Sequence, residues 1–382
     1  MSGPACSDVT CRVLQLSRSM IDGGFDYHRE ISLAFSHGGF DVTTVFQRGM
    51  PSDARAHDYS GRIICLDANR RRYYKTASVA ALRLLALSRG RGFDLAICHH
   101  HTPALIVSHL RRLSGPFRMV YVVPDYDYFD PQDRHVRRRN RFVMRHLDSR
   151  STLVAVSHAI RRNILEAIPG LDPERCRVIH NAIDMEDLER RLAGREEARR
   201  EFNLDADAFV FGTVGRLVPF KAHGELIDAF AQVHAQMPGS HLVIIGRGPL
   251  KEDLSARIAR HGLQEAVKLA GFVPHAARLM PAFDCFVLPS HNEPFGLVLL
   301  EAMTSRLPII ASTKGAAPEI LPYTDGLAHI DDVRHLAKKM LEFYHLPAAR
   351  RHRLGDMGYA HAAQFFSLDH YRACYRALWE AG

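Results

Sequence analysis

Short apolar runs of strand length alternate with helical patterns along this chain, and the series runs through twice. That order commits the fold to mostly parallel sheets with helices on both faces. The first series reads CRVLQLS, DVTTVF, LAIC, RMVYVV and TLVAVS, and the second reads FVFGTVG, HLVIIG, VKLAG, CFVLP and PIIAS. Between them Asp184 to Asp207 is rich in arginine and glutamate, weak in apolar residues and without a strand signal. At 382 residues the chain is too long for one ordinary core and suits two domains of about 150 to 200 residues. The expected architecture is therefore α/β with two Rossmann-like units. The first spans 1–183, a partly helical connection 184–206, the second unit 207–362 and a tail helix 363–382. Tyr371, Cys374, Leu378 and Trp379 can share one face of that tail, which is expected to pack back toward the first domain. Ligands of such sheets sit beyond the carboxyl ends of the strands, so two units facing each other are expected to enclose a deep cleft.

Composition narrows the class. Hydrophobic residues make up 47% and charged residues 24% of the chain, the balance of a soluble globular protein. No apolar stretch reaches the roughly 20 residues that span a bilayer. The opening MSGPACSDVTCRVLQLS lacks the basic and then apolar pattern of a secretory signal, so a cytoplasmic location is expected. The seven cysteines are scattered and never form a CxxC pair; they read as reduced core thiols rather than zinc ligands. A formal charge of +8 calls for an acidic partner, whether nucleotide phosphate, anionic membrane, nucleic acid or anionic saccharide.

The densest chemistry lies in the second half. In SHNEPFGLVLLEAM, Glu293 precedes Pro294, and proline favours the first helical position, so a helix is expected from Pro294 or Phe295. Glu293 would stand at its mouth and Glu301 about two turns in. The N–H groups around Phe295, Gly296 and Leu297 would be unpaired and able to hold a phosphate. Upstream, FGTVGRLVPFKAH ends a strand at Gly215 and follows with Arg216 and Lys221. Two cations at a strand end can neutralise a departing diphosphate without a metal. Gly246 and Gly248 in IIGRGPL allow a tight turn near the same ligand, and Gly315, Pro318 and Glu319 mark a third loop. Each feature alone also suits a solvated loop or an ordinary helix; the signal is their joint order.

In the first half, Gly23 and Gly24 follow the first strand just before a helix, where a glycine pair lets backbone N–H groups approach phosphate or acceptor, or simply makes a turn. His99, His100 and His101 close a strand, whose alternation would send neighbouring side chains to opposite faces. Asp125 and Asp127 form a DxD after RMVYVV, which elsewhere suggests a metal-dependent transferase. That reading is set aside because Arg216 and Lys221 already supply positive charge and the motif lies in the wrong half for a donor metal.

Taken in order, AVSHAIRRNI, VIHNAID, VGRLVPFK, IIGRGPL, FVP, the Glu293 to Glu301 element and PEI after Lys314 resemble the pattern of glycosyltransferase family 4, a retaining group of GT-B architecture. The resemblance covers most of the chain and is densest from VIHNAID to KGAAPEI. It implies that Glu293 contacts hydroxyls of the donor sugar, that Glu301 binds the ribose and that Arg216 and Lys221 hold the diphosphate. It also implies that the loop carrying Asp125 faces the reacting centre, Asp125 orienting or polarising the acceptor hydroxyl. Two positions depart from the pattern: NGID reads NAID at Asn181 to Asp184, and the lysine-glycine pair reads Lys221-Ala222. No well-placed nucleophile stands out, so a same-face substitution is expected, in which the departing phosphate takes the acceptor proton. The nucleotide sugar is then a substrate, and no cofactor or metal is expected.

The segment DRHVRRRNRFVMRHLDSR gathers Arg134, Arg137, Arg138, Arg139, Arg141 and Arg145 with an apolar edge of Phe142, Val143 and Leu147. It could lie on an anionic bilayer or grip a phosphorylated saccharide. The resemblance leans toward bacterial envelope polysaccharide, with lipopolysaccharide core as the acceptor and UDP-glucose or a related UDP-hexose as donor. A GDP-sugar with another envelope acceptor is the alternative. A nucleic-acid-binding protein using the same arginines is a reading of a different class, and it leaves the second-half motifs unexplained.

Overall fold

A computed structural model describes residues 11–19, 27–48, 61–66, 73–87, 92–126 and 147–380. The chain divides into two compact units, residues 1–180 with 371–382, and residues 181–370.

The first unit is built on seven strands: β1 (Arg12–Ser19), β2 (Asp41–Arg48), β3 (Arg62–Cys65), β4 (Leu95–His99), β5 (Arg118–Val123), β6 (Ser151–Ala155) and β7 (Cys176–Val178). Their spatial order is β3-β2-β1-β4-β5-β6-β7, and every pairing is parallel. Residues Val13 to Ser17 of β1 are all buried, because helices cover both faces of the sheet and leave no solvated side. The expected strands all form. The edge strands β3 and β7, only four and three residues long, were too short and mixed to read from the sequence.

The helix Leu368–Glu380 contributes its residues from Tyr371 onward to this first unit. Tyr371 and Tyr375 are its buried side chains. Trp379 meets Phe40 edge-on at 5.5 Å, and the Arg118 guanidinium lies 5.4 Å from the Trp379 ring while donating to the carbonyls of Leu378 and Trp379. Arg372 reaches the carboxylate of Glu30 at 2.6 Å. Glu30 is 2% exposed, so its charge depends on Arg372 and on Arg29 at 3.1 Å.

The second unit carries β8 (Phe209–Val214), β9 (Ser240–Ile245), β10 (Val267–Gly271), β11 (Cys285–Leu288), β12 (Ile309–Ser312) and β13 (Leu327–Ala328). The order is β10-β9-β8-β11-β12-β13, again parallel. Inside β8, Gly212 is required: a Cβ there would sit 2.1 Å from the Phe283 ring. The stretch from Asp184 forms two helices, Met185–Arg191, capped by the Asp184 side chain, and Arg195–Arg200. Arg195 and Arg199 both bind Asp284, at 2.5 and 2.8 Å, and Asp284 also accepts from the Val210 N–H. This charge cluster, in which Arg199 is buried, fixes that helix to the amino end of the sheet, where Asp284 precedes β11.

Among the described residues, no helix is long and apolar enough to cross a membrane.

Candidate active site

In the second sheet the chain runs outward in opposite directions from the adjacent strands β8 and β11. The loops that leave their carboxyl ends therefore part from each other and open a crevice, the usual ligand position of such sheets. After β8 come Gly215 and Arg216, and after β11 comes the stretch from Pro289 to Glu293. The switch in strand order is what brings residues about 75 positions apart to one edge.

Lys221 closes a short 3-10 turn, Pro219–Lys221, and its ammonium lies 2.5 Å from Glu293 Oε2. The two side chains are only 12% and 10% exposed, so the pair is held largely out of water and its charges are weakly screened. Ser290 Oγ donates to the same carboxylate oxygen at 2.8 Å. The Arg216 guanidinium and the Lys221 ammonium lie 5.8 and 5.4 Å from one Phe220 ring. Arg216 itself is exposed and thus available to an anion. The His291 N–H donates to the Phe220 carbonyl at 2.8 Å, which ties the two loops together. The His291 ring spans Glu225 and Asp331, each at 3.1 Å, and Lys314 pairs with Asp331.

Glu293 is also fixed through its backbone. Gly315 has φ +69, and a Cβ there would fall 2.6 Å from both the N and the O of Glu293. The Ala316 N–H donates to the Glu293 carbonyl at 2.9 Å. The loop after β12 thus presses directly on the glutamate. Gly246, after β9, lies on the same edge, its N–H bonded to the Gly271 carbonyl at 2.8 Å.

The helix following Glu293 begins later than the sequence suggested. It spans Leu297–Thr304, with Gly296 in a left-handed conformation at its N-cap. Pro294 and Phe295 precede it because Phe295 turns into the core, 3% exposed and edge-on to Phe366 at 5.9 Å. The Phe295 side chain therefore serves packing. Gly296 and Leu297 offer backbone N–H groups at the helix mouth, where no side chain caps them.

Glu301 is the one ionisable residue in that apolar helix. By surface it is half-buried, yet its carboxyl is deep enough that burial raises its pKa to about 7. It has no hydrogen-bond or ion-pair partner among the described residues, so ligand hydroxyls are what could stabilise its charged form.

The two departures from the family pattern have different structural weight. Ala182 has no positive φ, whereas Ala222 sits at φ 52, ψ 34. A glycine's freedom is thus irrelevant at the first position and would relieve backbone strain at the second.

In the first sheet the corresponding switch lies between β1 and β4. The three histidines do not alternate along a strand as expected. β4 ends at His99, His100 takes φ 74 and His101 starts the helix His101–Ser114. His99 Nε2 lies 3.5 Å from Gln15 Nε2, and His101 Nδ1 lies 2.8 Å from the Tyr121 hydroxyl. Asp125 follows β5 on the carboxyl edge, half-buried, and accepts from the Tyr126 N–H at 2.6 Å. Gly23, Gly24, Asp127 and the arginines at 134, 137, 138, 139, 141 and 145 lie outside the described residues.

Ser290, His223 and His291 were not singled out from the sequence. The one signal for Ser290 was its place three residues before Glu293, and for His223 its place two after Lys221.

Comparison with known proteins bears on the family and the fold. Residues 21–187 match the family model described as Glycosyltransferase Family 4, and residues 194–361 match Glycosyl transferases group 1. A D-inositol 3-phosphate glycosyltransferase of Segniliparus rotundus is 30% identical over 223 residues, covering 55% of this chain and 49% of that protein. The GPI3 subunit of a Saccharomyces cerevisiae phosphatidylinositol N-acetylglucosaminyltransferase is 30% identical over 172 residues, 44% of this chain and 37% of its own. The chain thus spans about half or less of the length of these curated relatives. Among solved structures, Anabaena HepE in complex with UDP and glucose superposes with a TM-score of 0.78 at 20% identity, over 97% of this chain and 99% of that one. The lipopolysaccharide outer core galactosyltransferase WaaB superposes at 0.70 and 17% identity, over 97% and 99%. The fold is the GT-B fold of two Rossmann-like domains.

Proposed function

We propose that this chain, which belongs to the family 4 glycosyltransferases, moves a hexosyl group from a nucleotide sugar to a saccharide acceptor with retention of configuration. The observation that carries the reading is the Lys221–Glu293 pair at 2.5 Å, placed with Arg216 at the switch point of the second sheet. A nucleotide sugar is a diphosphate joined to a sugar, and this crevice offers cations for one part and a carboxylate for the other.

In this reading Arg216 and Lys221 neutralise the charge that grows on the departing diphosphate. Such preorganised charges act most strongly where water is excluded. Glu293 accepts hydrogen bonds from the donor sugar hydroxyls, with Ser290 holding its Oε2 in place. The N–H groups of Gly296 and Leu297 add donors at the helix mouth, and Glu301 takes the ribose hydroxyls. Gly215 keeps the approach to the diphosphate open, and Gly246 lets the loop after β9 pack against the Gly215 carbonyl, where a Cβ would fall 1.8 Å away. Arg216 and Lys221 supply the positive charge that a metal would otherwise bring, so the step is metal-independent. The departing phosphate oxygen takes the acceptor proton as the new glycosidic bond forms on the face that the diphosphate leaves. Asp125 orients the acceptor hydroxyl, and Gly23 and Gly24 belong to the same function from the first unit.

UDP-glucose or a related UDP-hexose is the proposed donor; HepE, of the same fold, is recorded with UDP and glucose. Lipopolysaccharide core is the proposed acceptor. The arginines from 134 to 145 suit its phosphate, and an anionic face of the inner membrane reached from the cytoplasm. A thermal-shift screen across UDP-, GDP- and ADP-sugars tests the donor, since a ligand that binds only the folded state raises Tm. Stabilisation by UDP-glucose or UDP-galactose is expected. Stabilisation by GDP-sugars alone would replace the donor, and none by any nucleotide sugar would remove the function.

A further inference from the structure

His223 stands first in the helix His223–Gln236, directly after the left-handed Ala222 that follows Lys221. It is 2% exposed, which is unusual for an imidazole that packs beside a lysine. Burial, and then the nearby Lys221 ammonium, lower its pKa to about 4, so the ring is neutral at physiological pH. One ring nitrogen, Nδ1, is sealed from solvent and has no hydrogen-bond partner. Nε2 is not sealed in this way, so an N–H at Nε2 can still meet an incoming group whereas one at Nδ1 cannot, and the proton belongs on Nε2. Nε2 therefore remains as a hydrogen-bond donor with no partner in this unit.

Its surroundings say what it could meet. A Cβ placed on Gly215 would lie 3.7 Å from Cδ and Cε of Lys221 and 3.8 Å from Cε1 of His223. The Lys221 stem and the edge of the imidazole thus bound one small space left open by the glycine. The head of that lysine touches Glu293, and Arg216 directly follows Gly215 along the chain.

We propose that His223 is a diphosphate-binding residue, its neutral imidazole donating Nε2–H to a phosphate oxygen of the nucleotide between Gly215 and Lys221. This assignment rests on the nucleotide-sugar reading above. A neutral donor complements the two cations here: it adds a directed bond without adding a third positive charge that Lys221 would repel. An apolar residue of similar size would fill the same volume and make no such bond.

The test compares UDP with uridine by calorimetry on the full chain, using wild type, His223→Phe and His223→Gln. A bond to a charged group makes UDP binding to His223→Phe about 10- to 100-fold weaker than wild type, while uridine binding is unchanged because uridine lacks the phosphates. Glutamine, whose amide nitrogen can occupy the Nε2 position, recovers part of the loss. Equal UDP affinity in wild type and His223→Phe overturns the proposal, and so does a parallel loss for UDP and uridine, which marks a structural role. Should His223→Phe fail to fold, His223→Gln against His223→Asn decides, since only glutamine reaches Nε2; equal UDP affinity of the two refutes it. Wild type that binds neither UDP nor uridine, and neither GDP nor guanosine, would instead overturn the nucleotide-sugar reading, and this assignment with it; wild type that binds GDP alone moves the same comparison to GDP against guanosine.

Discussion

Gly315 is the position where a single added carbon should separate catalysis from folding. Its Cβ would stand 2.6 Å from the N and O of Glu293, whereas ordinary contact begins near 3.4 Å, so the Glu293 peptide must back off by about 0.8 Å. Displacements near 1 Å at a reacting centre cost about 100-fold in rate. The left-handed backbone at φ +69 adds about 1 to 2 kcal/mol of strain for alanine, or roughly 2 to 8 °C in Tm for a unit of this size. Gly262 supplies the control: it shares the left-handed conformation at φ +68 but has nothing within 4 Å of its Cβ. Gly262→Ala should show the stability loss and keep its turnover. Gly315→Ala should show both losses, measured as nucleotide release from the donor alongside thermal melts. A folded Gly315→Ala protein with wild-type turnover would refute the idea that this loop positions Glu293.

Glu301 should make stability depend on pH. Burial raises its folded pKa to about 7, above the ordinary carboxyl value of 4.5, so the folded state holds a proton that the unfolded state has lost, and stability falls as pH rises between those values. Glu301→Gln should melt near wild type at pH 4.5 and above it at pH 8, by roughly 3 kcal/mol, while losing affinity for the nucleoside; an offset that does not change with pH would contradict this. Arg372→Ala should destabilise the first unit by about 3 kcal/mol, since Glu30 would remain buried with Arg29 alone. The pair replacement Glu30→Gln with Arg372→Met should recover most of that in chemical denaturation, and no recovery would mean the contact acts by shape rather than charge.

The sequence carried the strand series because each interior strand is a short apolar run covered on both faces. β13, like β3 and β7, escaped notice since a strand of only two residues, Leu327 and Ala328, has no period to read. The cluster of Arg216, Lys221 and Glu293 was legible because glycine, cation and carboxylate recur in a fixed order along the chain. The helix start was misplaced because proline at position 294 signals a helix only if the next residue continues it, and Phe295 is drawn into the core instead. His223 was invisible for a related reason: nothing in KAHGEL tells whether the imidazole faces solvent or lies under Gly215. Burial and the left-handed Ala222 are set by the packed sheet and not by local preference.

The most direct test is release of nucleotide from UDP-glucose and other UDP-hexoses, with EDTA present, by wild type, Lys221→Ala and Glu293→Gln. Wild-type turnover should survive the chelator, and turnover should fall at least about 100-fold in each variant. Turnover that needs a divalent metal, or that persists in Lys221→Ala and Glu293→Gln, would contradict this reading of the site.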